Sequence, residues 1–247
     1  MKAAPDAPDV RCRLLDLQAV DTALAQLAHR RRSLPELAEI ETVAREISAL
    51  EDERVRAQVA VDDLDRDIAR FEKDIDQVRT RKTRDQSRLD AGGSLREIEG
   101  LQHELATLNR RQSELEDAEL ELMEQRETAE EALNAVKARL AEAGQRRDAA
   151  EARRDEAYAE IAKEQEFRTA ARAPLAADLP ADLVTLYDKI RTETGMGAAL
   201  VRAGRCGGCR IELYGADLAR VKNAPADEVV RCEECRRIMV RTPESGL

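Results

Sequence analysis

The sequence predicts a mainly α-helical protein, a long antiparallel coiled-coil hairpin that carries a small C-terminal β zinc ribbon. Three observations lead there. Apolar residues recur at steps of three and four over most of the chain, a Gly-Gly pair interrupts the pattern near its middle, and four of the five cysteines fall as two C-x-x-C pairs close to the end. Composition agrees with a narrow helical seam rather than a wide interior. Charged residues make up 37% and aromatics 2% of the 247 residues, with no Trp, two Phe and three Tyr.

A first amphipathic helix is expected from Val10 to about Arg32, with Leu14, Leu15, Leu17, Val20, Leu24 and Leu27 at helical spacing. Ser33-Leu34-Pro35 should break it, because Ser33 can cap a following helix and Pro35 is tolerated only near a helix start. Residues 1–34 thus form one segment. From Ile40 the apolar positions run Val43, Ile47, Leu50, Ala57, Val61, Leu64, Ile68, Phe71, Ile75 and Val78, a heptad seam with one gap across Arg54.

Gly92-Gly93 can supply the left-handed backbone that ends this helix, and Ser94 with Glu97 makes a capping box for the next. The seam resumes at Ile98, Leu101, Leu105, Leu108 and Leu115 and continues to Ile161, so residues 35–173 read as the hairpin with its tip near 90–95. A parallel dimer of one continuous helix is the alternative. It is disfavoured because two glycines inside a helix would cost about 2 kcal/mol against Ala. The Ala-rich stretch from Ala141 to Arg172 should pack more thinly. Pro174 and Pro180 should then end the helix, and Asp182 to Glu193 forms a short amphipathic one closed by Gly195-Met196-Gly197.

Residues 174–247 hold that short helix and the ribbon. Cys206-x-x-Cys209 and Cys232-x-x-Cys235, 22 residues apart, have the spacing of one structural zinc ion held by four thiolates. Ala198–Arg202 reads as the first strand. Arg210–Leu213 and Arg237–Val240 read as short strands leaving the knuckles, with Gly207 and Gly208 easing the first turn. Cys12 reads as a small apolar residue with no partner.

A formal net charge of −10 argues against affinity of the whole chain for nucleic acid or anionic membrane, so any such affinity must be local. Two cation clusters qualify. One is Arg79, Arg81, Lys82, Arg84 and Arg88 at the end of the outbound helix, joined across the turn by Arg96. The other lies in the ribbon and includes Arg205, Arg210, Arg236 and Arg237. A solvated helix end, its cations complementing the dipole, explains the first cluster equally well. Catalysis has little support, since the two histidines lie within helices and no phosphate-cradling loop or nucleophile elbow is present. No apolar run spans a membrane and the start lacks the apolar middle of a signal peptide, so the expected site is the cytoplasm, where thiols stay reduced.

Three segments carry a resemblance: Leu101-Gln102-His103-Glu104 after the tip, Leu186-Tyr187-x-x-Ile190-Arg191 before the ribbon, and the paired cysteines. Through them the chain resembles the bacterial C4-type zinc-ribbon proteins with an N-terminal coiled-coil hairpin. That resemblance implies zinc ligation by Cys206, Cys209, Cys232 and Cys235. It also implies a non-enzymatic adaptor that binds nucleic acid, DNA or RNA, or else a scaffold or chaperone for a protein such as a sigma factor or secretion component. No small-molecule substrate and no membrane partner are implied. The family's second knuckle often reads Pro-x-Cys-Gly; here it reads Glu233-Glu234-Cys235-Arg236.

Overall fold

The computed structural model describes residues 7–225 and 228–247; the opening Met1–Asp6, read above as no leader, lies outside the described residues. Two compact units emerge, one of residues 36–152 and one of residues 1–35 with 153–247.

The first unit is the hairpin, built from α2 (Pro35–Asp90) and the first part of α3 (Leu95–Ala177). Its seam buries the predicted residues: Val43, Leu50, Val61 and Ile75 from α2 face Leu108, Leu115, Leu133 and Val136 from α3. Antiparallel register shows in the ion pairs across it. Glu46–Arg146 (2.7 Å), Glu53–Arg139 (3.1 Å), Asp65–Arg126 (2.6 Å) and Arg79–Glu116 (2.7 Å) step outward on one helix as they step back on the other. In the seam's gap lies half-buried Arg54, whose Nε donates to Glu51 at 2.8 Å. The Ala-rich stretch closes rather than loosens. Ala143 is fully covered and packs with Val43 and Leu50, because a methyl side chain lets the facing backbone come near.

At the tip Gly92 adopts φ +79°, and the capping box forms as read: Ser94 N and Oγ donate to Glu97 Oε2 at 2.9 and 2.7 Å, and Glu97 N donates to Ser94 Oγ at 3.4 Å. These bonds from Ser94 hold the exposed Glu97 carboxyl below the usual carboxylate range.

The second unit gathers α1 (Ala7–Arg32), the end of α3, α4 (Ala181–Thr194), α5 (Gly215–Asn223) and four strands: β1 (Ala198–Arg202), β2 (Arg205–Cys206), β3 (Val230–Arg231) and β4 (Ile238–Val240). The strand order is β2-β1-β4-β3, with β1 parallel to β4 and the other pairs antiparallel. Leu14 and Leu17 of α1 pack with Leu183, Tyr187 and Ile190 of α4 and with Ala198, Ile238 and Val240 of the sheet. Gly197 is fixed by this packing, since a Cβ there would lie 2.7 Å from the Tyr187 carbonyl oxygen and inside its ring.

Local readings differ from the structure in four places. Ser33 closes α1 instead of opening α2: its Oγ and its N both donate to the His29 carbonyl, at 3.0 and 3.1 Å. Pro174 stays inside α3, which runs three residues further, because one missing amide bond in the last turn costs little cooperativity. Residues 210–213 make only a single bridge, Arg205 with Glu212, because the chain turns into α5 before a strand can extend. Helix α5 itself was missed, although Leu218 and Val221 sit at helical spacing behind Asp217.

Candidate metal centre and its cationic surround

β1 and β2 join through a two-residue turn, Ala203 (φ 48°) and Gly204 (φ 68°), the backbone of a type I′ hairpin. This hairpin delivers Cys206 at its end, and the β3–β4 connection delivers Cys232 and Cys235. Each knuckle closes alike: Arg210 N donates to the Cys206 carbonyl at 2.7 Å and Arg236 N to the Cys232 carbonyl at 2.9 Å. Gly207 serves a close approach, since its amide donates to the Leu200 carbonyl at 2.9 Å and a Cβ would sit 2.5 Å from that oxygen.

All four sulfurs lie within 4.8 Å of one another, and the short separations cross between knuckles: Cys206 to Cys235 is 3.7 Å and Cys209 to Cys232 is 3.9 Å. A tetrahedral zinc with bonds of about 2.3 Å requires sulfur–sulfur edges of about 3.8 Å. The fit is direct, and all the cysteines are free thiols, including exposed Cys12. Burial pushes the Cys206 thiol up and Cys232 up to about 12. At Cys235 burial also opposes ionisation, but hydrogen bonds from the Arg237 amide and the neighbouring thiols bring the net shift downward. The centre therefore asks for a cation that binds sulfur as thiolate, and a closed set of four thiolates leaves it no open position. Cys206 and Cys232 are buried, whereas Cys209 and Cys235 lie at the more open side.

The ribbon cations separate into two groups. Arg205 pairs with Glu212 at 3.1 Å and Arg220 with Glu233 at 2.8 Å. Arg231 donates to the Arg236 carbonyl (2.9 Å), Arg237 to the Thr194 carbonyl (2.9 Å), and Arg241 to the Val221 carbonyl (2.9 Å). These brace the fold. Arg202, Arg210, Lys222 and Arg236 are exposed, and their side chains have no partner among the described residues. Two of them share a second peculiarity: Arg210 has φ 64° and Arg236 φ 61°, left-handed backbone that costs a non-glycine residue about 1–2 kcal/mol.

At the hairpin tip the predicted cations are largely compensated. Arg79 pairs with Glu116, Arg81 with Glu104 at 2.6 Å, and Lys82 Nζ donates to Gln112 at 2.7 Å. Arg81 and Arg88 each lie 3.8 Å from buried Asp85. Among the described residues Arg84 and Arg96 have no side-chain partner, and Leu95 beside them is 75% exposed. His103 is exposed.

Sequence reasoning missed a buried polar cluster in the second unit. Asp21, 2% exposed, accepts from Arg172 Nε at 2.8 Å and Tyr187 Oη at 2.8 Å, with Arg191 Nη1 at 3.2 Å. Gln18 Oε1 accepts from Gly197 N (2.8 Å), Ala198 N (3.1 Å) and Tyr187 Oη (3.2 Å). Burial first, then the bond to Asp21, pushes the Tyr187 phenol well above its ordinary value. One signal was present: Gln18 and Asp21 fall between Leu14, Leu17 and Val20 on the apolar side of α1.

With hairpin and metal geometry in place, two family descriptions match: a CT398-like coiled coil hairpin domain over residues 17–195 and a C4-type zinc ribbon domain over residues 205–239. The chain belongs to the CT398-like coiled-coil hairpin family. It is 42% identical over 236 residues to the "Uncharacterized protein MT2288" of Mycobacterium tuberculosis, covering 92% of this chain and 94% of that one. A solved structure from Mycobacterium smegmatis matches with TM-score 0.88 and 35% identity, covering 98% of this chain and all of that one (100%). CT398 from Chlamydia trachomatis matches with TM-score 0.71 at 19% identity, over 97% and 100% of the two chains, a likeness of fold alone. The family's hairpin and four-cysteine ribbon, with one structural zinc, are therefore those of this chain. None of the described helices is long and apolar enough to cross a membrane.

Proposed function

We propose that this protein is a non-enzymatic zinc-ribbon adaptor that binds the phosphate backbone of nucleic acid in transcriptional or post-transcriptional regulation. Its labour divides as the sequence divides: helix 1–34, hairpin 35–173 and ribbon segment 174–247. The observation that carries this reading is the sorting of ribbon cations. While Arg205, Arg220, Arg231, Arg237 and Arg241 are spent on the fold, Arg202, Arg210, Lys222 and Arg236 remain exposed without partners among the described residues. Unpaired cations on a small rigid platform suit backbone contacts that fix position and carry little sequence information. At the tip Arg84 and Arg96 offer a second contact of the same kind, supported by Arg79, Arg81, Lys82 and Arg88 once Glu116, Glu104, Gln112 and Asp85 release them. Closed thiolate ligation supports a structural metal rather than a hydrolytic one, and free thiols suit a cytoplasmic setting.

Fluorescence anisotropy with labelled duplex DNA, single-stranded DNA and RNA, at about 50 and about 200 mM salt, tests the reading. Binding should weaken steeply with salt; absence of binding to all three at the lower salt removes it. A second reading, a scaffold for a protein such as a sigma factor or secretion component, rests on exposed Leu95 beside Arg84 and Arg96. Protein capture at the tip that persists at high salt would favour it.

A further inference from the structure

The two knuckles carry the same residue at the same place. Directly after the second cysteine of each pair stands an arginine, Arg210 and Arg236, and each adopts the left-handed backbone that glycine takes without strain. Each amide closes its knuckle onto the first cysteine's carbonyl, so the conformation is set by the metal turn and not by the side chain. Each guanidinium is exposed and has no partner among the described residues.

Position adds to the coincidence. The arginines follow Cys209 and Cys235, the two cysteines on the more open side of the centre, whose sulfurs belong to a cluster spanning no more than 4.8 Å. One metal ion therefore fixes the separation of the two side-chain roots. The metal turn imposes the left-handed backbone, and glycine would meet it without strain, so the arginine side chains are the part that the turn does not explain.

We propose that Arg210 and Arg236 form a two-pronged phosphate clamp, mounted on the zinc centre, that grips the nucleic-acid backbone. This rests on the nucleic-acid reading above and deepens it by naming the contact. Arginine suits the task because its planar fork binds phosphate oxygens bidentately and never loses its charge. A rival role is compensation of the zinc–thiolate centre, whose formal charge with four thiolates is about −2. The two roles differ in what they predict: compensation would cost zinc retention, whereas the clamp would cost nucleic-acid binding with zinc retained.

The test compares two double variants of the full zinc-loaded chain that remove equal charge: Arg210→Gly/Arg236→Gly in the knuckles and Lys73→Gln/Lys137→Gln, two exposed cations of the hairpin away from its tip. Glycine also relieves the left-handed strain, so the first variant should keep its zinc and melt no lower than wild type. In anisotropy titrations it should lose about tenfold in affinity at about 50 mM salt, and its slope of log affinity against log salt should fall by about 1.8 for duplex DNA. The second variant should lose less than about twofold. Equal losses in both variants, or undiminished binding by the glycine variant, overturn the clamp and leave the nucleic-acid reading standing. Zinc loss from the glycine variant with unchanged binding assigns the arginines to charge compensation and overturns the clamp as well. Failure of the wild-type chain to bind any of the three nucleic acids overturns both.

Discussion

The hairpin of residues 36–152 and the assembly of residues 1–35 with 153–247 treat charge in opposite ways. In the hairpin the seam is aliphatic and the ion pairs across it are exposed, as with Glu53–Arg139 and Glu46–Arg146, so solvent screens them and they add little to stability. Only Asp85 among its described charged residues is buried. In the other unit the charge is inside: Asp21 takes donors from α3 and α4 together, and Gln18 takes two backbone amides at the entry to β1. A seam of interchangeable leucines tolerates change at many points. A buried carboxylate with three donors permits one arrangement, so α1 orients α4 and the sheet, and with them the knuckles.

The largest effect should come from the metal. Cys232→Ser should release zinc and unfold the ribbon while leaving most helicity, measured by metal analysis beside circular dichroism; stoichiometric zinc in that variant would break the four-thiolate assignment. Next comes the buried cluster. Asp21→Ala leaves Arg172 and Arg191 only Asp188 as a carboxylate partner and takes the carboxylate acceptor from the buried Tyr187 hydroxyl, and should cost about 1–3 kcal/mol. Hydrogen exchange should then accelerate across residues 153–200 while residues 43–75 stay protected.

Alkaline pH probes the same cluster without mutation. Tyr187 is raised by burial and by Asp21, so its neutral form is the folded one; the stability it contributes is complete below about pH 10 and falls as pH rises toward the folded value. Each pH unit above 10 should cost about 1.4 kcal/mol, and Tyr187→Phe should abolish that dependence. Replacing Gly92-Gly93 with Ala-Ala forces an alanine into φ +79° and should cost about 1–2 kcal/mol while favouring an extended, dimeric helix by scattering. Smallest of all, Arg146→Gln should leave the thermal unfolding midpoint nearly unchanged, because solvent screens its exposed ion pair with Glu46.

The same contrast explains what could be read from the sequence. Heptad periodicity is local, so Val43 through Val78 and Ile98 through Ile161 announced the hairpin, and Gly92-Gly93 with the Ser94–Glu97 box announced its turn. Two C-x-x-C pairs announced the metal. Gln18 and Asp21 showed only as polar residues on an apolar helix side, because their partners lie more than 150 residues away, at Arg172, Tyr187 and Gly197, where no periodicity links them. Cation counting also exceeded what folding leaves free, since intramolecular acids and carbonyls occupy Arg79, Arg81, Arg205 and Arg237. Nor did the sequence reveal why arginine follows Cys209 and Cys235, because a left-handed residue is visible only in the backbone.

The proposed binding face for nucleic acid is the pair of zinc knuckles. Hydrogen exchange of the zinc-loaded chain, with and without a saturating oligonucleotide at low salt, addresses it directly. Added protection should centre on the Cys206–Arg210 and Cys232–Arg237 segments, with a weaker effect at Arg84 to Arg96 and none along Val43 to Ile75. Protection confined to the hairpin, with both knuckles exchanging as in the free protein, would contradict the account.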